Sequence, residues 1–248
     1  ILLKICKMSK KKIIVIGGSG SIGSAIARDC INDGFDVCLI GRNYASLEKV
    51  SKELNCTFEK ADVTQNEELK KAISNCGENI YGLAYCVGSI NMKTLSSAHE
   101  NDYIDSFKIN VLGAITAIQH TKDLILNNKG SILLFSSVAA QQGFINHTVI
   151  STAKAAVEGL TVSLAAELSP KVRVNCIAPS LTESGMSESI LSNENMKNAI
   201  ASLHAIPKIG QPDDHSKLAT FLLGEKNSWI TGQIFHVDGG RSTVRKKG

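Results

Sequence analysis

Residues 12–16, KIIVI, run directly into the glycine segment GGSGSIG, Gly17 to Gly23, and from there into SAIARDCINDG, which closes on Gly34. A continuous β-branched run of this kind suits a strand buried on both faces of a parallel sheet. The segment after the glycines carries its apolar residues at helical spacing and stops at a glycine, as helices do. Strand, glycine turn and helix start in immediate succession restrict the chain to a β-α-β architecture of the dinucleotide-binding kind. The same arrangement is an anion site. Backbone N–H groups and the positive end of the helix dipole face one point, and the missing side chains let a phosphate come close.

The rest of the chain agrees with one α/β domain. Its 248 residues are 43% apolar and 20% charged with net charge +4, and apolar strands alternate with amphipathic helices without a linker, repeat or low-complexity run. The fold class expected is therefore a single-domain, Rossmann-like, doubly wound parallel sheet. Seven cysteines, at 6, 30, 38, 56, 76, 86 and 176, form no CxxC or Cys/His cluster, which argues for reduced thiols in the cytoplasm and against a metal site. Residues 1–10 read as a basic N-terminal extension, with Met8 the candidate natural start, and residues 11–248 as the domain. The apolar part of that extension is too short for a membrane span or signal segment, and its lysines have no aromatic or basic company. Neither a membrane nor a nucleic acid is expected as partner.

Further along stand four more segments of interest. The second strand, Asp36 to Gly41, ends in Gly41-Arg42-Asn43. Ala61-Asp62-Val63 follows the third. The fourth ends in Tyr85-Cys86-Val87-Gly88, and Asn110 sits inside the helical pattern SFKINVLGAITAIQHTK, where its intrinsic propensity is poor. From Ser131 the chain reads SILLFSSVAAQQGFINHTVISTAKAAVEGL, an apolar strand ending in Ser136-Ser137, a loop, and a helix carrying Lys154.

Together these segments resemble the short-chain dehydrogenase/reductases, and overall the ketoreductases that act on 3-oxoacyl carrier-protein thioesters, over Lys11 to about Ser242. The resemblance implies an oxidoreductase that moves hydride between a nicotinamide and a carbonyl or alcohol, on a small-molecule or acyl substrate. It also implies roles. Gly17, Ser19, Ser21, Ile22 and Gly23 face the cofactor phosphates; Asp62 and Val63 hold the adenine; Gly88 lies by the ribose; Pro179 and Thr182 close over the nicotinamide and phosphate. Asn110 holds a water linked to Lys154, Lys154 grips the ribose, and Ser137 binds the substrate oxygen. Gly18, Gly20 and Gly23 fit one glycine pattern and Gly17, Gly20 and Gly23 another, while a third, commoner in the family, needs a glycine where Ser21 stands. At the end of the second strand an NAD-preferring protein places an acid for the ribose 2′-hydroxyl. Arg42 instead offers a planar cation to a 2′-phosphate, so NADP(H) is favoured, with NAD(H) the alternative.

One residue breaks the pattern. In the family a Tyr follows the Ser by thirteen residues and precedes the Lys by four, and counting from Ser137 puts Ile150 there. The family's enoyl-reductase branch spaces Tyr and Lys more widely, and that spacing lands on His147, in Asn146-His147-Thr148-Val149-Ile150. An imidazole can carry a proton. Three readings follow: a carbonyl or alcohol oxidoreductase using His147 or a water relay, an enoyl reducer, or a nucleotide-binding protein that has lost turnover. The polar segment from Glu183 to about Leu203 reads as the substrate lid. The small residues of TAKAAVEGLTVSLAAEL suit close helix approach, which in the family builds homodimers and homotetramers.

Overall fold

Seven short segments pair side by side in a computed structural model that describes residues 10–245, so the candidate start at Met8 lies outside the described residues. They are β1 (Lys12–Ile16), β2 (Asp36–Gly41), β3 (Thr57–Lys60), β4 (Ile80–Tyr85), β5 (Ser131–Phe135), β6 (Arg173–Pro179) and β7 (Ile234–Val237). All pairs are parallel, in the order β3-β2-β1-β4-β5-β6-β7. The order reverses between β1 and β4. At such a switch point the crossovers leave in opposite directions and open a crevice beyond the carboxyl ends of the strands.

Period-two alternation divides each central strand between two cores. Ile14 and Ile16 of β1 face a cluster that includes Leu69 and Ala72 of α3 (Asn66–Asn75), Ala114 and Ala117 of α5 (Gly113–Asn127), and Ala153 and Val157 of α6 (Thr148–Leu168). Ile13 and Val15 face the opposite cluster, with Ile26 and Ala27 of α1 (Ser21–Asn32), Leu47 of α2 (Tyr44–Leu54), and Ala219 and Leu222 of α9 (Pro212–Leu223). These continuous β-branched runs are therefore buried on both sides, as a doubly wound sheet requires. Helix α6 is the one described helix long and apolar enough to cross a membrane, yet Ala153, Val157, Ala165 and Leu168 place that apolarity in the first core.

Two segments depart from the periodicity. The helical pattern from Ser106 to Lys122 is interrupted: α4 (Glu100–Phe107) passes through a π-helical turn, Lys108–Leu112, before α5 begins. The Tyr85 hydroxyl donates to the Ile109 carbonyl at 2.5 Å, and a Cβ on Gly113 would come within 2.4 Å of that hydroxyl. The inserted ring and the glycine beneath it account for the wider turn, a feature that often marks functional sites. The second departure is the expected lid, which folds into two short helices, α7 (Glu188–Leu191) and α8 (Glu194–Ser202).

Candidate active site

At the switch point lies a cavity of about 440 Å3, walled by the carboxyl ends of β4, β5 and β6, the start of α6, and α7 and α8. The glycine turn forms its rim through Ile22. Gly17 has φ +81°, a left-handed conformation that glycine adopts without penalty. Cβ atoms added elsewhere show what the turn demands. On Gly23 a Cβ would stand 2.3 Å from the Gly17 carbonyl oxygen, and on Gly18 it would stand 2.8 Å from that of Val15. On Gly20, which precedes α1 and is exposed, it would meet only the Gly17 oxygen, at 3.2 Å. Steric need thus falls on residues 17, 18 and 23, which neither glycine pattern lists together. Ser19 and Ser21 are half-buried in the turn.

Beyond β2, Arg42 is 72% exposed with Nη1 3.9 Å from Asp62 Oδ2. Asp62 is fixed in turn by the backbone N–H and hydroxyl of Thr64, at 2.9 and 2.7 Å, while Val63 is buried beneath it. A cation and an oriented carboxylate therefore stand together at the edge where the adenosine end of a dinucleotide would lie.

Gly88 is the centre of the site. A Cβ there would sit 3.3 Å from both Asn110 Oδ1 and Lys154 Nζ, so only glycine leaves this space open. Asn110 Nδ2 donates to the Ser106 carbonyl at 2.8 Å, but its Oδ1 is buried without a partner. An orphaned buried acceptor beside an ammonium awaits a donor such as a ribose hydroxyl or a water. Lys154 itself is buried, donates to the Phe135 carbonyl at 2.8 Å, and has its pKa lowered to about 8 by burial. Loss of hydration disfavours its charged form.

Ser137 follows the end of β5 and lines the same cavity. Its Oγ accepts from the Ala139 backbone N–H at 3.2 Å, which leaves the hydroxyl proton free to donate. Neighbouring Ser136 acts differently. It is buried, bonds the Lys154 carbonyl and Glu158, and so ties β5 to α6. One turn before Lys154, Ile150 is buried in the cavity wall. His147 immediately precedes α6 and also lines the cavity. Its Nδ1 lies 2.7 Å from the Ile145 carbonyl, and since a carbonyl only accepts, Nδ1 carries a proton and the neutral ring keeps Nε2 as an acceptor. Asn146 at φ +66° turns the chain there, and Phe144 packs on the ring at 5.3 Å.

Pro179 and Thr182 both line the cavity, but Thr182 is buried, its Oγ1 bonded to the Ser180 carbonyl at 3.0 Å and to His215 Nε2 at 2.8 Å. Its hydroxyl is thus held by two partners within the protein. Ser184, two residues on, also lines the cavity, and sequence reading missed it, together with Arg241 and the Ser180–His204 hydrogen bond at 2.8 Å. Cys86 lines the cavity, where burial raises its thiol pKa, and no cluster of metal-ligating residues occurs among the described residues.

Residues 17–242 match the family model described as enoyl-(acyl carrier protein) reductase. The chain belongs to the short-chain dehydrogenase/reductase family. Among similar family members, L-2,3-butanediol dehydrogenase of Corynebacterium glutamicum is 32% identical over 93% of this chain and 98% of its own length. A 3-oxoacyl-[acyl-carrier-protein] reductase of Rickettsia bellii is 30% identical over 96% and 99%. Of solved short-chain dehydrogenase/reductase structures, one from Mycobacterium ulcerans superposes with TM-score 0.88 at 27% identity, covering 95% of this chain and 90% of that one. ElxO with NADP bound gives TM-score 0.88 at 26% identity over 95% and 100%. As a short-chain dehydrogenase/reductase the protein is an oxidoreductase that works with a nicotinamide cofactor, and the residues described above fit that group: the open turn at Gly17–Gly23, the space over Gly88 and the unpartnered Asn110 Oδ1.

Proposed function

We propose that the protein is an NADP(H)-dependent oxidoreductase of carbonyl and alcohol substrates in which His147, not a tyrosine, handles the proton. The observation that carries this reading is the convergence of Ser137, His147 and Lys154 on one cavity over Gly88. The glycine turn would hold the cofactor's phosphates and Arg42 a 2′-phosphate, while Lys154 and Asn110 would hold the nicotinamide ribose between them. When bound, the nicotinamide supplies or takes the hydride. The Ser137 hydroxyl, its oxygen already accepting from Ala139, donates to the substrate oxygen and orients it. His147 Nε2 accepts a proton from an alcohol when neutral and returns one to a forming alkoxide when protonated. Lys154, with one N–H bonded to the Phe135 carbonyl, would offer its others to the ribose hydroxyls. NADP-bound ElxO supports the cofactor choice, and the named ketone and alcohol activities of the relatives support the substrate class.

Ile150 favours a second reading, a cofactor-binding protein without turnover, because an aliphatic wall stands where the family carries a phenol. NADPH oxidation against ketones, 3-oxoacyl thioesters and enoyl thioesters separates the readings. Ketone or oxoacyl reduction supports the first. Enoyl reduction alone transfers the site to the enoyl-reducing branch, and NADPH binding with no turnover supports the second. We also propose a homo-oligomer, because Ile104, Phe107, Leu112 and Val162 are large exposed apolar residues on α4, the π-helical turn and α6. Light scattering that returns a monomer refutes it.

A further inference from the structure

The cavity has a second cation that the hydride chemistry leaves unused. Arg241 lines it, its guanidinium carbon lying 5.0 Å from the centre of the Phe144 ring, on the side occupied by His147. Among the described residues no hydrogen bond or ion pair holds that guanidinium; beyond the Phe144 ring it has only the field of Asp238. Asp238 acts on it without a direct bond, and its carboxylate accepts from the Gly240 and Ser242 N–H groups at 2.9 Å and from the Ser242 hydroxyl. Those bonds fix the turn that presents Arg241. Gly240 at φ +81° and the Arg241 N–H to Asp238 carbonyl bond at 3.1 Å complete it, and Gln142 Nε2 ties it to the active-site loop through the Ser242 carbonyl at 2.6 Å.

Beyond Phe144 and the nearby Asp238, much of the cavity wall is apolar. Met92, Leu181, Met186, Ile190, Met196 and Ile200 line it, and no Asp or Glu does. A guanidinium stacked on an aromatic face keeps its N–H edges free, and those edges match a carboxylate in a bidentate fork. Low-dielectric walls with cations and no acid among the lining residues concentrate an anion.

We propose that Arg241 is a specificity-determining residue that receives the anionic end, of carboxylate type, of a compact substrate whose apolar body lies under α7 and α8 and whose carbonyl or hydroxyl carbon reaches Ser137. The protein thus acts on oxo acids or hydroxy acids rather than on neutral ketones. The inference rests on the oxidoreductase reading for the redox step, but the recognition can be read without turnover.

Calorimetric titration with hexanoate and with hexanamide, on the protein alone and saturated with NADP+, tests it. In the wild type hexanoate is expected to bind roughly 10- to 100-fold more tightly than hexanamide, the range brought by a charge-assisted hydrogen bond. Arg241→Gln is expected to abolish that preference while leaving hexanamide affinity within twofold, and Arg241→Lys to retain part of it. Equal affinity for the two ligands in the wild type overturns the proposal. So does an Arg241→Gln protein with an unchanged melting temperature that keeps the preference, or that loses both ligands alike. Hexanoate selected through Arg241 without any NADPH oxidation sinks the redox reading and leaves this one standing. Equal kcat/KM for an oxo acid and its methyl ester sinks this one and leaves the redox reading standing.

Discussion

Replacing Gly23 by alanine tests whether close packing of α1 on the glycine turn, rather than mere chain flexibility, builds the cofactor site. The new Cβ would lie 2.3 Å from the Gly17 carbonyl oxygen, 2.9 Å from its carbonyl carbon and 3.1 Å from Gly18 Cα. All three are backbone atoms that cannot rotate away. Ordinary contact at ~3.4–4 Å requires turn and helix to separate by about 1 Å, and overpacking of this kind costs about 1–3 kcal/mol or more. Alanine returns up to about 1 kcal/mol through its better helix propensity, so the net loss is up to about 2 kcal/mol. At roughly 2–4 °C per kcal/mol for a chain of this size, the melting temperature falls by up to roughly 8 °C. The larger consequence is for binding. A 1 Å displacement spoils charge-assisted N–H contacts to phosphate, and NADPH affinity should drop roughly 10- to 100-fold. Gly20→Ala is the control: its Cβ meets one atom at 3.2 Å, with φ −77°, and should change stability by about 1 kcal/mol or less. Scanning calorimetry and NADPH fluorescence titration read both effects. If Gly20→Ala is as damaging as Gly23→Ala, the steric account of the turn is wrong.

Three further outcomes follow from the site. Arg42→Ala should weaken NADPH by about tenfold, modest because the side chain is exposed, and leave NADH within twofold; equal losses for both cofactors would remove Arg42 from 2′-phosphate recognition. Lys154 falls from 10.5 to about 8 on burial, so between those values the unfolded chain binds the proton and the folded one does not. The penalty of holding the charged form, on the order of 3 kcal/mol, is therefore full below pH 8 and fades toward pH 10.5, and wild-type stability relative to Lys154→Met should rise across that window in urea denaturation. A flat or falling difference contradicts the buried ammonium. Thr182→Val, which strips His215 Nε2 of its partner, should cost about 1–3 kcal/mol of stability while NADPH affinity stays within twofold if that bond is its main role; a large affinity loss would place Thr182 on the cofactor.

The sheet and its anion turn were legible because their signals are local. A β-branched run, a glycine cluster and an amphipathic helix sit next to one another in the chain, and β1, β2 and α1 appear where those signals place them. Ser137 and Lys154 were legible by resemblance and converge on one cavity. What escaped depends on partners far along the chain. The π-helical turn at Asn110 follows from a hydroxyl on β4, 24 positions before Ile109, which helical periodicity cannot register. Thr182 bonds His215, 33 positions later, a tertiary contact that the motif around Pro179 does not register. Arg241 follows a run read only as the last strand, and its place beside Phe144 exists only once that strand and the loop after β5 are brought together.

The central claim is that proton handling has moved from the missing phenol to His147, and the most direct measurement is single-turnover reduction of a carbonyl substrate by NADPH-saturated protein. The account predicts turnover in the wild type and a loss of about 100-fold or more in His147→Ala, the contribution typical of a positioned acid or base, with NADPH affinity unchanged. An Ile150→Tyr protein made in the His147→Ala background should recover part of that rate, since the phenol would stand one turn before Lys154 on the same cavity wall. A wild type that binds NADPH and reduces nothing, or a His147→Ala protein as fast as the wild type, contradicts the claim.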